Sequence, residues 1–282
     1  MAVTSSTSKP GPFRVCSFES RRGEEMRSLL ERQGLSATIA PSMRELPIGE
    51  NPAAMQFAER LLAGEFDVVV FLTGVGARAL FEAVAEAVSR DVLVAALNRC
   101  TVVVRGPKPV AVLKEWNVRI DHRAPEPNTW RELLGLLDAE VPMSGKRVAV
   151  QEYGVPNEEL YRQLAARGAD VTSVPVYRWG FPEDTAPLHD AIQRTIRGEF
   201  DGLLFTSAQQ LVNVVQLAEQ DGCRDAWLAA AKGCVIGSIG PTASETIREY
   251  GLPVHVEPSH PKMGTLVREF AEALPRLREL RA

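Results

Sequence analysis

Four short segments join a hydroxyl, a glycine or a proline to the start of a helical pattern: Thr73-Gly74-Val75-Gly76, Arg105-Gly106-Pro107-Lys108, Thr206-Ser207-Ala208-Gln209 and Gly240-Pro241-Thr242. A helix start presents backbone N–H groups with no partner in the helix, and small residues let a ligand reach them. Such a loop suits capture of a carboxylate or phosphate, and equally suits plain capping of its own helix. Four of them in matched pairs point to anion binding. Thr73, Gly74, Val75, Arg105, Gly106, Thr206, Ser207, Ala208, Gly240 and Thr242 are the candidate contacts. Tyr153 is a further candidate on the rim. Tyr177, two residues after Pro175, either offers its phenol as a proton donor or packs beside Trp179.

Other chemistries are disfavoured. There is no nucleophile elbow, Walker loop or catalytic carboxylate pair. Gly74, Gly76 and Ala79 fit a G-x-G-x-x-A dinucleotide pattern, but Ala208, Gln209 and Gln210 lack its glycines and no acidic residue closes a second strand at the required distance. No cofactor is therefore expected. His122, His189, His255 and His260 are scattered without ligand spacing, and Cys16, Cys100, Cys223 and Cys234 form no C-x-x-C, so no metal is expected either.

The elements that must position these loops come as a repeat. Gly64-Glu65-Phe66-Asp67 recurs as Gly198-Glu199-Phe200-Asp201, 134 residues on. The same offset relates Gly34 to Gly168, Pro41 to Pro175, Cys100 to Cys234 and Gly106-Pro107 to Gly240-Pro241. It pairs the Thr73 loop with the Thr206 loop. Two copies of one α/β unit follow, with any site built from paired loops.

Each copy opens with an apolar strand (Phe13 to Phe18, Arg147 to Gln151) and a helix that stops at Gly34 or Gly168. A second strand then leads to Pro41 or Pro175, and a helix leads to the G-E-F-D turn. Val68 to Leu72 and Gly202 to Phe205 are continuous apolar runs, as parallel strands buried on both faces require. A helix, the strand Thr101 to Val104 or Val235 to Ile239, another helix, and final short strands at Val118 and Val254 complete the units. The expected fold class is α/β, with two flavodoxin-like or Rossmann-like parallel-sheet domains produced by tandem duplication. The Pro-rich stretches 41–52 and 175–187 read as inter-domain passages, compatible with a crossover of the chain or with two beads in series.

Composition limits the partners. The chain has 282 residues, 45% of them hydrophobic and 24% charged, with a net charge of −4, which suits two soluble domains. It offers no basic face for a nucleic acid or an anionic membrane. Residues 1–12 read as a disordered tail without a secretory signal, and the cysteines fit reduced thiols in the cytoplasm.

The combination of F-D-V-V-V-F-L-T-G-V-G-A-R, V-P-V-Y-R-W, F-D-G-L-L-F-T-S-A and V-I-G-S-I-G-P-T-A-S-E-T-I-R-E-Y-G-L resembles uroporphyrinogen-III synthase over about residues 13 to 275. The resemblance implies the crossover: one domain from 13–42 plus 180–282, a second from 43–179, extended linkers near 41–50 and 173–182, and a cleft between the domains. It implies cyclisation of hydroxymethylbilane, a linear polycarboxylate tetrapyrrole, to uroporphyrinogen III by a monomeric hydro-lyase. It makes Tyr177 the general acid and Thr242 a substrate contact. Where many members carry T-R-P after the first strand, this chain has Ser17-Phe18-Glu19.

Overall fold

A computed structural model describes residues 12–49, 51–152 and 154–280. The expected tail, apart from Pro12, and the rim candidate Tyr153 lie outside the described residues. The first copy contains β1 (Arg14–Ser17), α1 (Gly23–Arg32), β2 (Ser36–Ile39), β3 (Arg44–Pro47), α2 (Pro52–Leu62) and β4 (Val68–Phe71). It continues through α3 (Gly74–Val84), α4 (Arg90–Leu97), β5 (Thr101–Val104), α5 (Pro107–Glu115), β6 (His122–Arg123) and α6 (Trp130–Glu140). The second copy contains β7 (Arg147–Gln151), α7 (Glu158–Ala166), β8 (Asp170–Val174), β9 (Tyr177–Gly180), α8 (Ala186–Ile196) and β10 (Gly202–Phe205). It ends with α9 (Ala208–Gln220), α10 (Arg224–Ala231), β11 (Val235–Ser238), α11 (Pro241–Glu249) and α12 (Met263–Glu279).

The strands exchange partners across the repeat. One parallel sheet has the order β11-β10-β1-β2, and the other β6-β5-β4-β7-β8. Because β10 and β11 repeat β4 and β5, and β1 and β2 repeat β7 and β8, the two sheets share one strand order. Each is assembled from the front half of one copy and the back half of the other. The chain accordingly divides into unit 1, up to Arg44 and from Phe181 on, and unit 2, from Glu45 to Gly180. The two Pro-rich passages are not wholly extended coil: β3 and β9 pair within them as a two-stranded ribbon.

Each sheet is buried on both faces. In unit 2, Phe57, Leu80, Leu97 and Leu113 of α2 to α5 cover one face. Leu133 and Leu137 of α6, with Leu160 and Leu164 of α7, cover the other. In unit 1, Ile192, Leu211, Trp227 and Ile247 of α8 to α11 face Met26, Leu30, Leu266 and Phe270 of α1 and α12 across the sheet. Each such side chain stabilises its unit by about 1.5–3 kcal/mol relative to exposure, which is why Val68–Phe71 and Gly202–Phe205 are apolar at every position.

The identical tetrad has an identical set of contacts. Gly64 and Gly198 leave α2 and α8 at φ +74 and +70, a region that glycine enters without strain. Arg60 donates from Nε to Glu65 and Arg194 does the same to Glu199, each at 2.9 Å. Their guanidinium groups lie over Phe66 and Phe200 at 4.6 and 4.5 Å. The carboxylates of Asp67 and Asp201 accept the first N–H of the neighbouring strand, from Arg147 and Arg14. The buried thiols of Cys100 and Cys234 donate to the carbonyls of Phe66 and Phe200. The tetrad therefore closes the edge of each sheet from which its strands begin.

Two sequence expectations are corrected here. Val118 is not a strand: its N–H returns to the carbonyl of Leu113 after Asn117 has turned to φ +60, so Val118 packs against the end of α5, and the edge strand forms later at β6. The equivalent bridge in unit 1 is made by Val256 to Gly237, and not by Val254. Thr73 and Ser207 are the residues that precede α3 and α9, as the offset of 134 places them.

Candidate functional site

In an open parallel sheet, ligands bind beyond the carboxyl ends of the strands, where the strand order reverses direction. In unit 2 that point lies between β4 and β7, and in unit 1 between β10 and β1. The residues on these two crests differ sharply.

On the unit 2 crest, Thr73 caps α3 by accepting the N–H of Gly76 at 2.9 Å. Its own N–H donates to Oε1 of Gln151, at the end of β7, at 3.3 Å. The hydroxyls of Thr73 and Tyr177 stand 3.5 Å apart. Tyr177 begins β9 and is 3% exposed, held edge-on to Trp179 with ring centroids 5.1 Å apart. Gly154 permits this arrangement: a Cβ there would lie 2.6 Å from the Trp179 indole nitrogen and 2.8 Å from Cε2 of Tyr177, at a φ of +93. Tyr177 thus packs beside Trp179 and also carries its phenol to the crest.

The neighbouring loop approaches the same helix start. A Cβ on Gly74 would lie 2.7 Å from the carbonyl oxygen of Lys108, so the first turns of α3 and α5 approach backbone to backbone. Arg105 and Gly106 are covered by Asn128, whose amide reaches the carbonyls of Arg105 and Ala124 at 3.2 Å each. Val75 packs its side chain against the core, which leaves its backbone as the only part suited to a ligand.

The unit 1 crest is filled by polar groups of its own. Glu19, 8% exposed, accepts the N–H groups of Arg21 and Arg22 at 2.9 and 3.0 Å. It also accepts from the Thr206 hydroxyl and, at 3.4 Å, from Gln210. Burial alone would raise its pKa, yet these donors hold the carboxyl below its usual range. Gln210 accepts the Thr206 N–H at 2.7 Å and donates to its hydroxyl at 2.8 Å. Thr206 is therefore committed to the protein. Ser207 and Ala208 open α9 without a side-chain cap. On the adjoining loop, Ser238 bonds the backbone of Gly240, and Thr242 stands exposed in the first turn of α11.

Glu152 is the counterpart of Glu19. Gly202 pairs with Val15, and Val68, which corresponds to Gly202, pairs with Val148. The first strands are thus related by 133 residues (148 − 15), and this places Glu152 on Glu19. Glu152 is 5% exposed and accepts from the Tyr161 hydroxyl at 2.8 Å, while burial pushes its carboxyl up. Sequence reasoning missed Glu19, Gln151, Glu152 and Gln210. A one-residue change of offset between the strands and the rest of the repeat hid the glutamate pair.

Among the described residues there is no group of His, Cys, Asp and Glu able to hold a metal, and no helix long and apolar enough to cross a membrane. Comparison with known proteins gives a match to a family described as uroporphyrinogen-III synthase HemD over residues 24–268. The chain belongs to the uroporphyrinogen-III synthase family. It is similar to the crystal structure of a mutant uroporphyrinogen III synthase from the extremely thermophilic bacterium Thermus thermophilus, with 25% identity and a TM-score of 0.71, covering 94% of this chain and 99% of that one. A Methanothermobacter thermautotrophicus protein named "Putative uroporphyrinogen-III synthase" is 29% identical over 82% of this chain and 87% of its own length. The "Uncharacterized protein YjjA" of Bacillus subtilis is 26% identical over 92% and 95%. The fold is the two-domain α/β architecture of uroporphyrinogen-III synthase.

Proposed function

We propose that the protein cyclises hydroxymethylbilane to uroporphyrinogen III, losing water and inverting ring D, as a hydro-lyase of tetrapyrrole biosynthesis. The supporting observation is the meeting of Tyr177 and Thr73 at the unit 2 switch point, with the phenol held by Trp179 and Gly154.

The chemistry asks for positioning more than for a nucleophile. Loss of the hydroxyl leaves an azafulvene cation, whose attack on the substituted carbon of ring D gives a spiro intermediate that fragments and recloses. Tyr177 is the proposed proton donor to the departing hydroxyl, with Thr73 orienting the phenol. The substrate's carboxylates are assigned to the backbone N–H groups at the starts of α3 and α5 in unit 2. Excluding water keeps it from recapturing the azafulvene cation, and the held conformation of the chain favours the rearranged product over direct closure.

The deciding experiment incubates the purified protein with freshly generated hydroxymethylbilane, oxidises the product and resolves the isomers. The type III isomer is expected. Type I alone, at the rate of the uncatalysed reaction, would overturn the proposal.

A further inference from the structure

The donors around Glu19 form the kind of set that receives a free carboxylate. Two are backbone N–H groups leading into α1, for which Arg22 is the N-cap, and two are side chains from the loop and first turn of α9. Oε1 takes the backbone pair and Oε2 takes the side-chain pair, so both carboxylate oxygens are engaged. Thr206 and Gln210 are bonded to each other as well as to the carboxylate, which fixes them in place. Ordinary loop bracing does not require a buried charge, because a serine or asparagine cap would satisfy the helix start without one.

Ser20 accepts the N–H groups of Ser42 and Met43 at 3.1 Å each, and Asn213 donates to the Ser42 carbonyl at 2.8 Å. The crest thus carries two polar clusters side by side, and Glu19 is the one anion among the groups named. In unit 2 the equivalent Glu152 turns instead to Tyr161.

We propose that the unit 1 switch point is a carboxylate-binding site whose resident ligand is the protein's own Glu19. It is closed to carboxylates from solution while that side chain is in place. If the synthase reading holds, substrate carboxylates do not enter beside Thr206, but the inference itself does not depend on that reading.

The test replaces the resident carboxylate with one from solution. Glu19→Ala is melted in sodium acetate and in sodium chloride of equal ionic strength. The variant is expected to melt below the natural protein, and acetate is expected to raise its melting temperature progressively with concentration, as linkage to a bound ligand requires. The natural protein, and Glu19→Gln, whose side chain fills the space, should melt alike in both salts. If Glu19→Ala is recovered only unfolded, its refolding yield in acetate against chloride gives the same readout. Equal behaviour of the Ala variant in the two salts, or an acetate response as large in the natural protein, would overturn the proposal. No tetrapyrrole is involved, so failure here is separate from failure of the isomer assay.

Discussion

The carboxamide of Gln151 occupies the space in which a side chain on Gly76 would have to grow. Gln151 is 1% exposed and bonded to the N–H of Thr73 and to the carbonyl of Glu152, so it cannot step aside without losing both. In unit 1 the position of Gly76 is taken by Gln210, which supplies the crest amide from the helix instead of the strand.

Gly76→Ala should therefore destabilise the protein by about 1–3 kcal/mol, the range for overpacking a filled site. Gln151→Ala in the same chain should recover most of that loss. Urea unfolding of the two single variants and the double measures the coupling, and additive losses would refute the steric account.

Tyr177→Phe removes the phenol while keeping the ring against Trp179 and Gly154. Turnover is expected to fall about 100-fold or more with an unchanged circular dichroism spectrum, since a general acid contributes on that scale. Thr73→Val should show a smaller loss of turnover. Unchanged kinetics in Tyr177→Phe would remove the acid role.

Asp67 contributes to the acid sensitivity of unit 2. Hydrogen bonds from Arg147 lower its pKa to about 2. A lowered pKa contributes stability above the unfolded value near 4, lost as the pH falls through about 2. Asp67→Asn should lower the melting temperature by roughly 2–4 °C at pH 7. The difference should close as the pH falls from about 4 to about 2, as calorimetry at several pH values would record.

Glu152 has the opposite sign. Its carboxyl is raised by burial, so its contribution is complete below the unfolded value near 4.3 and is lost as the pH rises through the folded one. Glu152→Gln should then be no less stable than the natural protein at pH 7, and relatively less stable at pH 4. Urea midpoints at the two pH values check this, and a variant weaker at pH 7 than at pH 4 would contradict it.

The parts of the molecule legible in the sequence are those with strong local signals. Val68–Phe71 reads as a buried strand because all four residues are apolar, and the tetrad stands out because both copies of it make the same contacts. The short α4 and α10 escape such a reading: each is eight residues long and follows another helix, so no change of period marks them. The ribbon strands β3 and β9 carry four residues each and lie in Pro-rich passages. At the site, Thr73 and Tyr177 stand out by residue type and position, but what joins them is tertiary. Glu19 gives no signal as a charged loop residue, because its partner Thr206 lies 187 positions away.

The exchange of strands between the copies also sets an order of assembly. Unit 2 is one continuous run from Glu45 to Gly180, so every strand of its sheet is available as soon as that run has been synthesised. Unit 1 has no such advantage: Val15 of β1 pairs with Gly202, and β1 must wait through the synthesis of the whole of unit 2 before β10 exists. During translation the nascent chain therefore carries β1 and β2 as an unfinished sheet edge, and residues made early are among the last to be enclosed.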